Sequence, residues 1–180
     1  MKIVHSLLMF AVLLLALAAS AAPLGNEYQI KAAYLYKFAS YVEWPPGAFP
    51  QAETPITIGI IGADEMVEEL DRLKRAPPVN NRQIDFRLLK QGDSLSGVQI
   101  LFIGRQENGA IRRVLENLQT QPILVVTEAF GGLSEGSMIN FVSVDERIRF
   151  EVSLLPAERC GLKISARLLS VAQKIEGKKS

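Results

Sequence analysis

The stretch from Ser137 to Ile175 places the strongest constraint on the fold. Its first part contains two runs of alternating apolar and polar residues, 138–144 and 148–153, on either side of the charged break Asp145-Glu146-Arg147. A period of two puts alternate side chains on opposite faces of a sheet, so these runs predict an antiparallel hairpin. The break contains neither Asn-Gly nor Asp-Gly, so the sequence leaves the turn type open.

The end of this stretch has the spacing of an amphipathic helix. From Gly161 onward, apolar residues recur at intervals of three and four on one face, at Ile164, Leu168, Val171 and Ile175. Polar and charged residues take the opposite face, as expected for a helix that lies on a core. We therefore predict one helix over 161–175, whose wide apolar stripe requires a sheet to pack against.

The preceding part of the chain supplies that sheet. Apolar runs predict strands that alternate with short amphipathic helices, at 56–62, 83–90, 98–103 and 123–126. Strands that alternate with helices form right-handed βαβ units and a parallel sheet. The predicted fold class is α/β: a single three-layer domain with a largely parallel sheet, a C-terminal antiparallel hairpin, and packed N- and C-terminal helices.

An aromatic helix is predicted before the first strand, at 26–44, and Pro45-Pro46-Gly47 ends it. Its apolar face is predicted to contain Ile30, Tyr34, Phe38 and Tyr41. Lys31 is predicted to face away from this apolar side.

The first residues are predicted to be a secretory signal peptide. A short positive region precedes the apolar run Leu7–Leu17, which is too short to cross a bilayer comfortably, and Ala19-Ser20-Ala21 has the small-residue cleavage pattern. We predict cleavage after Ala21, with an uncleaved anchor as the alternative. The chain then divides into a signal peptide, an α/β domain and a flexible tail, at 1–21, 22–175 and 176–180.

Composition argues against several classes of function. The single histidine, His5, leaves with the signal peptide, so the mature chain has none for a general base, a nucleophile pair or a metal site. Basic and acidic residues nearly balance, at 20 and 19, which argues against a nucleic-acid binder. We therefore predict a protein that is not an enzyme, with no catalytic residue, no metal and no cofactor.

Cys160 is the only cysteine of the chain and cannot form an intramolecular disulfide. In an oxidising compartment such a thiol is either buried and inert or paired with another chain. Burial is the favoured interpretation, because free cysteine is among the most buried residue types.

Two other functions remain open from the residues alone. The acidic pairs Glu68-Glu69 and Asp145-Glu146 leave a carboxylate hydrolase open, although they lack apolar neighbours that would raise a carboxyl pKa. Open α/β sheets bind ligands at the carboxyl ends of their strands. The candidate residues for a small-ligand sensor or carrier are therefore Gly62, Asp64, Gly104 and Thr127.

A docking surface for another protein is the remaining possibility. Aromatic residues concentrate between Tyr28 and Phe49, where they either belong to a core helix or leave the core at Tyr36, Trp44 or Phe49 to form a docking surface. In the second case Trp44 and Phe49 are the favoured interface anchors. Lys163 and Arg167 lie on the basic face of the predicted C-terminal helix, which either is simply solvated or meets an anionic surface. The candidate partner-binding residues are Trp44, Phe49, Lys163 and Arg167.

Several segments resemble, in the same order, the motifs of the YfiR family. They are Lys31–Ala39 with Val42-Glu43-Trp44-Pro45, then Ile56–Gly62, Met138–Phe141, Ile148–Val152 and Gly161–Ser165 with Leu168-Leu169. The resemblance spans about residues 27 to 175. It implies a periplasmic, non-enzymatic protein that binds and represses the sensor domain of a membrane-bound diguanylate cyclase, lowering cyclic di-GMP and thereby affecting biofilm behaviour.

The resemblance also implies a capacity to form homodimers, with no nucleic-acid partner and no membrane insertion after signal cleavage. Gln99 stands where many relatives have a cysteine, and Ser153 where a similar closing strand often has asparagine. The internal disulfide of some family members therefore cannot form in this chain. A periplasmic small-ligand sensor or carrier is the alternative function.

Overall fold

The computed structural model describes residues 24–116, 118 and 120–177. The predicted signal peptide, its cleavage site after Ala21, and residues 178–180 of the predicted tail lie outside the described residues. Within the described part, no helix is long and apolar enough to span a bilayer.

The described elements alternate along most of the chain. The strands are β1 (Val42–Glu43), β2 (Ile56–Ile61), β3 (Ile84–Leu88), β4 (Ile100–Ile103), β5 (Leu124–Thr127), β6 (Ile139–Val144), β7 (Arg147–Ser153), β8 (Lys163–Ile164) and β9 (Lys174–Glu176). The helices are α1 (Leu24–Tyr41), α2 (Glu65–Leu73), α3 (Ile111–Glu116), α4 (Gly132–Glu135), α5 (Leu154–Arg159) and α6 (Ala166–Leu169), with a 3-10 helix at Arg105–Ala110.

The central sheet confirms the predicted fold class. Seven of the described strands lie in the order β3-β2-β4-β5-β6-β7-β9, and the first five are parallel. This places β2 between β3 and β4, which is a common strand order of doubly wound α/β domains. β1 and β8 form a separate two-stranded antiparallel sheet.

Two apolar layers cover the central sheet. On one face, α1 and α2 pack over β2, β4 and β5, and residues such as Leu35, Phe38 and Phe102 are fully buried. On the other face, the α3 region and the segment 89–98 cover Leu101 and Val125. Because β4 and β5 are buried on both faces, they are continuous apolar runs, without alternation.

The predicted hairpin is present, and the structure defines its turn. β6 and β7 pair antiparallel in a register that places Val144 opposite Arg147. Asp145 and Glu146 connect them with φ angles of 48° and 59°. A two-residue loop with positive φ at both positions is a type I′ turn, which matches the twist of the flanking strands.

The single helix predicted over 161–175 is wrong, and with it the predicted packed C-terminal helix. Only α6 is helical in this segment, and Val171, predicted to lie on the apolar face, is 62% exposed. β8 pairs with β1, and β9 adds a parallel edge strand beyond β7. These strands add to edges provided by distant parts of the chain, so tertiary contacts override the local helical pattern. Glu176, the predicted first residue of the tail, ends β9.

The N-terminal helix is confirmed, but its buried face differs from the prediction. The buried side of α1 contains Tyr28, Lys31, Ala32, Leu35, Phe38 and Ala39. Ile30, predicted to be inward, is 37% exposed, whereas Lys31, predicted to point away, is 2% exposed. The buried face of α1 is therefore rotated relative to the predicted one, and it includes the charged residue Lys31.

Candidate partner-binding site

One exposed end of the molecule brings the predicted aromatic anchors together. The chain leaves α1 through β1 and turns at Pro45-Pro46 before entering β2. A groove of about 490 Å³ opens beside this turn, at the amino end of β2. We call it the aromatic groove, and its lining includes Val42, Glu43, Trp44, Phe49, Ile56, Asn80 and Arg82.

Phe49 lies between Trp44 and Arg82. The two aromatic rings meet edge to face, with centroids 5.9 Å apart and an interplanar angle of 72°. The Arg82 guanidinium carbon is 3.9 Å from the centroid of Phe49, a cation–π geometry. These contacts order both aromatic side chains, although each is only half-buried.

Arg82 is itself held by the backbone on both sides of it. Its Nη1 donates hydrogen bonds to the carbonyls of Gln51 and Thr54, at 3.0 and 2.7 Å. Asn80 and Asn81 form a turn with positive φ angles of 50° and 64°, which asparagine tolerates better than most residues. This turn is closed by a bridge that ends on Arg82, so the guanidinium is placed by local backbone geometry.

Trp44 carries an unsatisfied polar group. Its Nε1 is buried and has no hydrogen-bond partner among the described residues. Buried donors are nearly always paired, and an unpaired one costs on the order of 1–3 kcal/mol. An unpaired indole N–H beside an open groove makes Trp44 a candidate for contact with a second molecule.

The two predicted basic residues lie on elements attached to the groove. Lys163 on β8 stands directly opposite Glu43 on β1. Arg167 follows on α6, and both basic side chains are exposed. The backbone N–H of Ser165, which lies between β8 and α6, donates to the carbonyl of Tyr41 at 2.9 Å. All four predicted partner-binding residues are therefore carried by elements at the same end of α1.

The predicted ligand-binding residues lie at the opposite edge of the sheet, and two of them contact each other. The backbone N–H of Gly104 donates to Ile61 at 2.7 Å, and a Cβ added to Gly104 would overlap the carbonyl oxygen of Gly62. The side chain of Glu107 packs directly against Gly62, where an added Cβ would overlap it. The crevice between β2 and β4, where this strand order usually binds ligands, is thus closed by backbone contact.

The other two predicted ligand-binding residues are separate from that contact. Asp64 is exposed before α2 and makes no side-chain capping bond. Thr127 is fully buried, where its hydroxyl donates to Asn140 Oδ1 at 2.8 Å and lies 3.0 Å from the Ser137 hydroxyl. Asn140 also accepts from the backbone N–H of Ala129 at 3.1 Å. Thr127 therefore belongs to a buried hydrogen-bond network that pins the loop after β5.

A partly buried charge cluster at this same edge was not predicted from the sequence. It consists of Glu27, Lys31, Arg105 and Glu128, and we refer to it as the charge cluster. Lys31 forms ion pairs with Glu27 and with Glu128, and Arg105 bridges the same two carboxylates. The one available signal was Lys31 itself, at the spacing of the buried residues Tyr28, Leu35 and Phe38 on a helix.

The charge cluster shifts the pKa values of its members. Partial burial works to raise the pKa of Glu27, but Lys31 and Arg105 outweigh it and lower that pKa below 4.5. Burial, followed by the nearby Glu128 carboxylate, raises the pKa of Tyr28 to about 12. The pKa of Arg105 is raised because Glu128 and Glu27 outweigh its desolvation. The cluster is thus an internally neutralised ion network.

Cys160 and the two acidic pairs lie in separate parts of the described structure. Within the described ranges, no group of three or more His, Cys, Asp or Glu is placed to hold a metal ion. Cys160 is 7% exposed, and burial raises the pKa of its thiol. Of the acidic pairs, Glu69 bonds Arg72 at 2.7 Å, and Asp145-Glu146 form the hairpin turn.

Comparison with known families identifies the chain as a whole. A profile of the YfiR/HmsC-like family matches residues 28–173, which includes the groove, the central sheet up to β7, and every member of the charge cluster except Glu27. A search of curated proteins found no match. The YfiR/HmsC-like family is regulatory, and it is associated with the periplasm and with cyclic di-GMP signalling. The chain therefore belongs to the YfiR/HmsC-like family, a family of regulators of diguanylate cyclase signalling.

Proposed function

We propose that this protein is a periplasmic repressor without enzymatic activity. It binds the sensor domain of an inner-membrane signalling protein, a diguanylate cyclase, and lowers the cellular level of cyclic di-GMP. The observation that carries the proposal is family membership over residues 28–173, and the aromatic groove supplies a candidate site.

Repression follows from a population shift in the partner. The protein binds the inactive conformation of the sensor domain more tightly than the active one, which moves the equilibrium toward the inactive state. A shift from mostly active to mostly inactive requires a difference in binding free energy of about 5 kcal/mol. A few well-ordered anchor residues are able to supply a difference of this size.

The aromatic groove has the properties expected of such anchors. Trp44 and Phe49 are ordered by mutual contact and by Arg82, so binding loses less side-chain entropy than it would with free rings. Lys163 and Arg167 extend the same end of the molecule with exposed positive charge. Aromatic anchors with a polar, charged rim are the usual composition of protein–protein interfaces.

Gene deletion with complementation tests the proposal. Deletion is expected to raise cyclic di-GMP, and the wild-type gene is expected to restore the lower level. Phe49→Ala should fail to restore it, because it removes the central ring of the groove. Phe130→Ala should restore it, because Phe130 is fully exposed after β5, at the other edge of the sheet.

Equal periplasmic amounts of each variant, checked by immunoblot, make the comparison valid. An unchanged cyclic di-GMP level after deletion would contradict the proposed function. Full repression by Phe49→Ala would instead show that the groove is not the partner-binding site. Co-purification of a membrane-bound cyclase with the wild type, reduced for Phe49→Ala, is the matching biochemical result.

A cavity favours small-ligand binding as the second candidate function. It has a volume of about 450 Å³, lies against α3, α4 and α5, and has a largely apolar lining that includes Leu115, Leu118, Val125, Met138 and Pro156. Native mass spectrometry of the purified protein tests this function. A ligand mass retained in repeated preparations supports it, and a clean mass of the protein alone contradicts it.

A further inference from the structure

Two side chains in the wall of the aromatic groove carry hydrogen-bond donors that lack acceptors. Trp44 Nε1 is buried without a partner among the described residues. Arg82 uses Nη1 for the carbonyls of Gln51 and Thr54, and within the described part of the chain its Nη2 and Nε bond nothing. The groove wall therefore contains a covered indole N–H without an acceptor and one free edge of a guanidinium group.

The charge around the groove has one predominant sign. Arg82 lies in its wall, and Lys163 and Arg167 are carried by the adjoining β8 and α6. The opposing charge is the exposed carboxylate of Glu43, which also lines the groove and stands opposite Lys163. Among the groove-lining residues Arg82 and Glu43 balance, so the excess of positive side chains comes from Lys163 and Arg167 on the adjoining elements.

We propose that the aromatic groove binds a carboxylate side chain of the protein partner, an inference that rests on the proposed function. The carboxylate accepts hydrogen bonds from Trp44 Nε1 and from the free edge of Arg82. The aliphatic stem of the acidic residue lies against the ring of Phe49. The partner surface that docks here is accordingly acidic.

An ionised carboxylate fits this set of groups better than a neutral acceptor does. It is acceptor-only and takes two or more donors at once, as the indole and guanidinium groups require. Hydrogen bonds that involve charged groups are about twice as strong as neutral ones. Because Trp44 Nε1 is covered in the free protein, its ring turns as the carboxylate enters, so binding changes the environment of the indole.

The sequence makes this change directly measurable. Trp44 is the only tryptophan of the chain, so a spectrum of the ¹⁵N-labelled mature protein contains a single indole N–H signal. The signal is followed while N-acetylglutamate amide, N-acetylglutamine amide or inorganic phosphate is added. We expect a saturable downfield shift with the glutamate compound and none with the glutamine compound. A phosphate effect as strong as that of glutamate would identify a general anion site and overturn the proposal.

Two arginine variants separate the groove from general charge effects. Arg82→Gln is expected to weaken binding of the glutamate compound by about tenfold or more, the loss expected for one charged hydrogen bond. Arg87→Gln is the matched control, because Arg87 also bonds loop carbonyls, those of Ser96 and Ser94 at 2.8 and 3.1 Å, but on β3. Equal weakening by both variants would contradict the assignment to Arg82.

The titration tests the carboxylate site, and the deletion experiment tests the proposed function, so either proposal can be contradicted without the other. An indole signal that no carboxylate moves overturns the carboxylate site, even if Phe49→Ala abolishes repression, and it leaves the proposed function intact. A saturable, Arg82-dependent shift supports the carboxylate site. If Phe49→Ala nevertheless represses fully, the proposed partner-binding role of the groove fails instead.

Discussion

The ion pair between Lys31 and Glu128 is the most buried one among the described residues. Both side chains are 2% exposed, and α1 brings Lys31 against a residue that follows β5. A buried ion pair gains little net stability, because the desolvation of both groups offsets their attraction. Removing Lys31, however, leaves the buried Glu128 carboxylate with only the partly exposed Arg105 as a countercharge, and this makes the pair sensitive to single substitutions.

Lys31→Met is expected to lower the free energy of unfolding by about 3 kcal/mol, because Glu128 is left buried beside Glu27 with only Arg105 to offset the two carboxylates. Lys31→Met combined with Glu128→Gln should recover part of the loss. Lys37→Met is the matched control, since Lys37 is exposed on the same helix and should change stability little. Urea unfolding measures all three variants. A loss below 1 kcal/mol for Lys31→Met would contradict the buried pair.

Glu27 gives stability a defined pH dependence. Its folded pKa lies below the ordinary value of 4.5, so its ionised form stabilises the native state above that pH. The contribution is lost as the pH falls below 4.5 toward the folded pKa. Thermal unfolding between pH 6 and pH 3 should therefore show a steeper decline for the wild type than for Glu27→Gln. Identical slopes would mean that Glu27 carries no shifted pKa.

The hairpin turn contains residues that are not the preferred ones for its backbone conformation. Asp145 and Glu146 both adopt positive φ angles, a region that L-residues other than asparagine seldom occupy. Asp145→Asn with Glu146→Gly installs the preferred type I′ pair and should raise the free energy of unfolding by about 1 kcal/mol.

Urea unfolding of the double variant measures this gain. Glu158→Gly serves as the control, because Glu158 is exposed within α5, where glycine is unfavourable and should lower stability instead. A destabilised double variant would show that the turn residues have another role, such as a contact with a partner.

The elements that sequence patterns predict well are those whose signal is local. The apolar run at Ile56–Ile61 indicates a strand that is buried on both faces, and this strand is present. The alternation across Phe141 and Phe150 indicates a hairpin that is buried on one face, and this hairpin is also present. The segment 161–175 fails because its periodicity is local, while the strand edges that claim it belong to β1 and β7. Lys31 fails for the same reason, since Glu128 is 97 residues away.

The groove shows the same limit of local patterns. Aromatic residues before the first strand predict that Trp44 and Phe49 are available as anchors, and the structure places the two rings in contact. Arg82, which orders Phe49 and provides the free guanidinium edge, was not predicted, because it comes from the turn before β3. Its signal was the Asn80-Asn81 pair, which is typical of a tight turn and fixes the arginine that follows.

At the scale of the whole molecule, α1 connects the two polar features of the fold. Its first turns enter the charge cluster at the carboxyl ends of β4 and β5, and its last residue leads into β1 and the aromatic groove. The charge cluster and the aromatic groove are therefore attached to opposite ends of the same helix. At the end of the sheet that carries the charge cluster, direct contact between Gly62 and Gly104 closes the crevice.

Redox chemistry at cysteine is not expected to regulate this protein, because Cys160 is the only cysteine in the sequence, is 7% exposed, and has a thiol pKa raised by burial. Dithiothreitol should leave its melting temperature and its mass on a sizing column unchanged. A thiol reagent such as dithionitrobenzoate should react slowly with the native protein and rapidly after unfolding in urea. A covalent dimer on a non-reducing gel would contradict burial. If the thiol is inert as expected, the proposed regulation does not use cysteine oxidation.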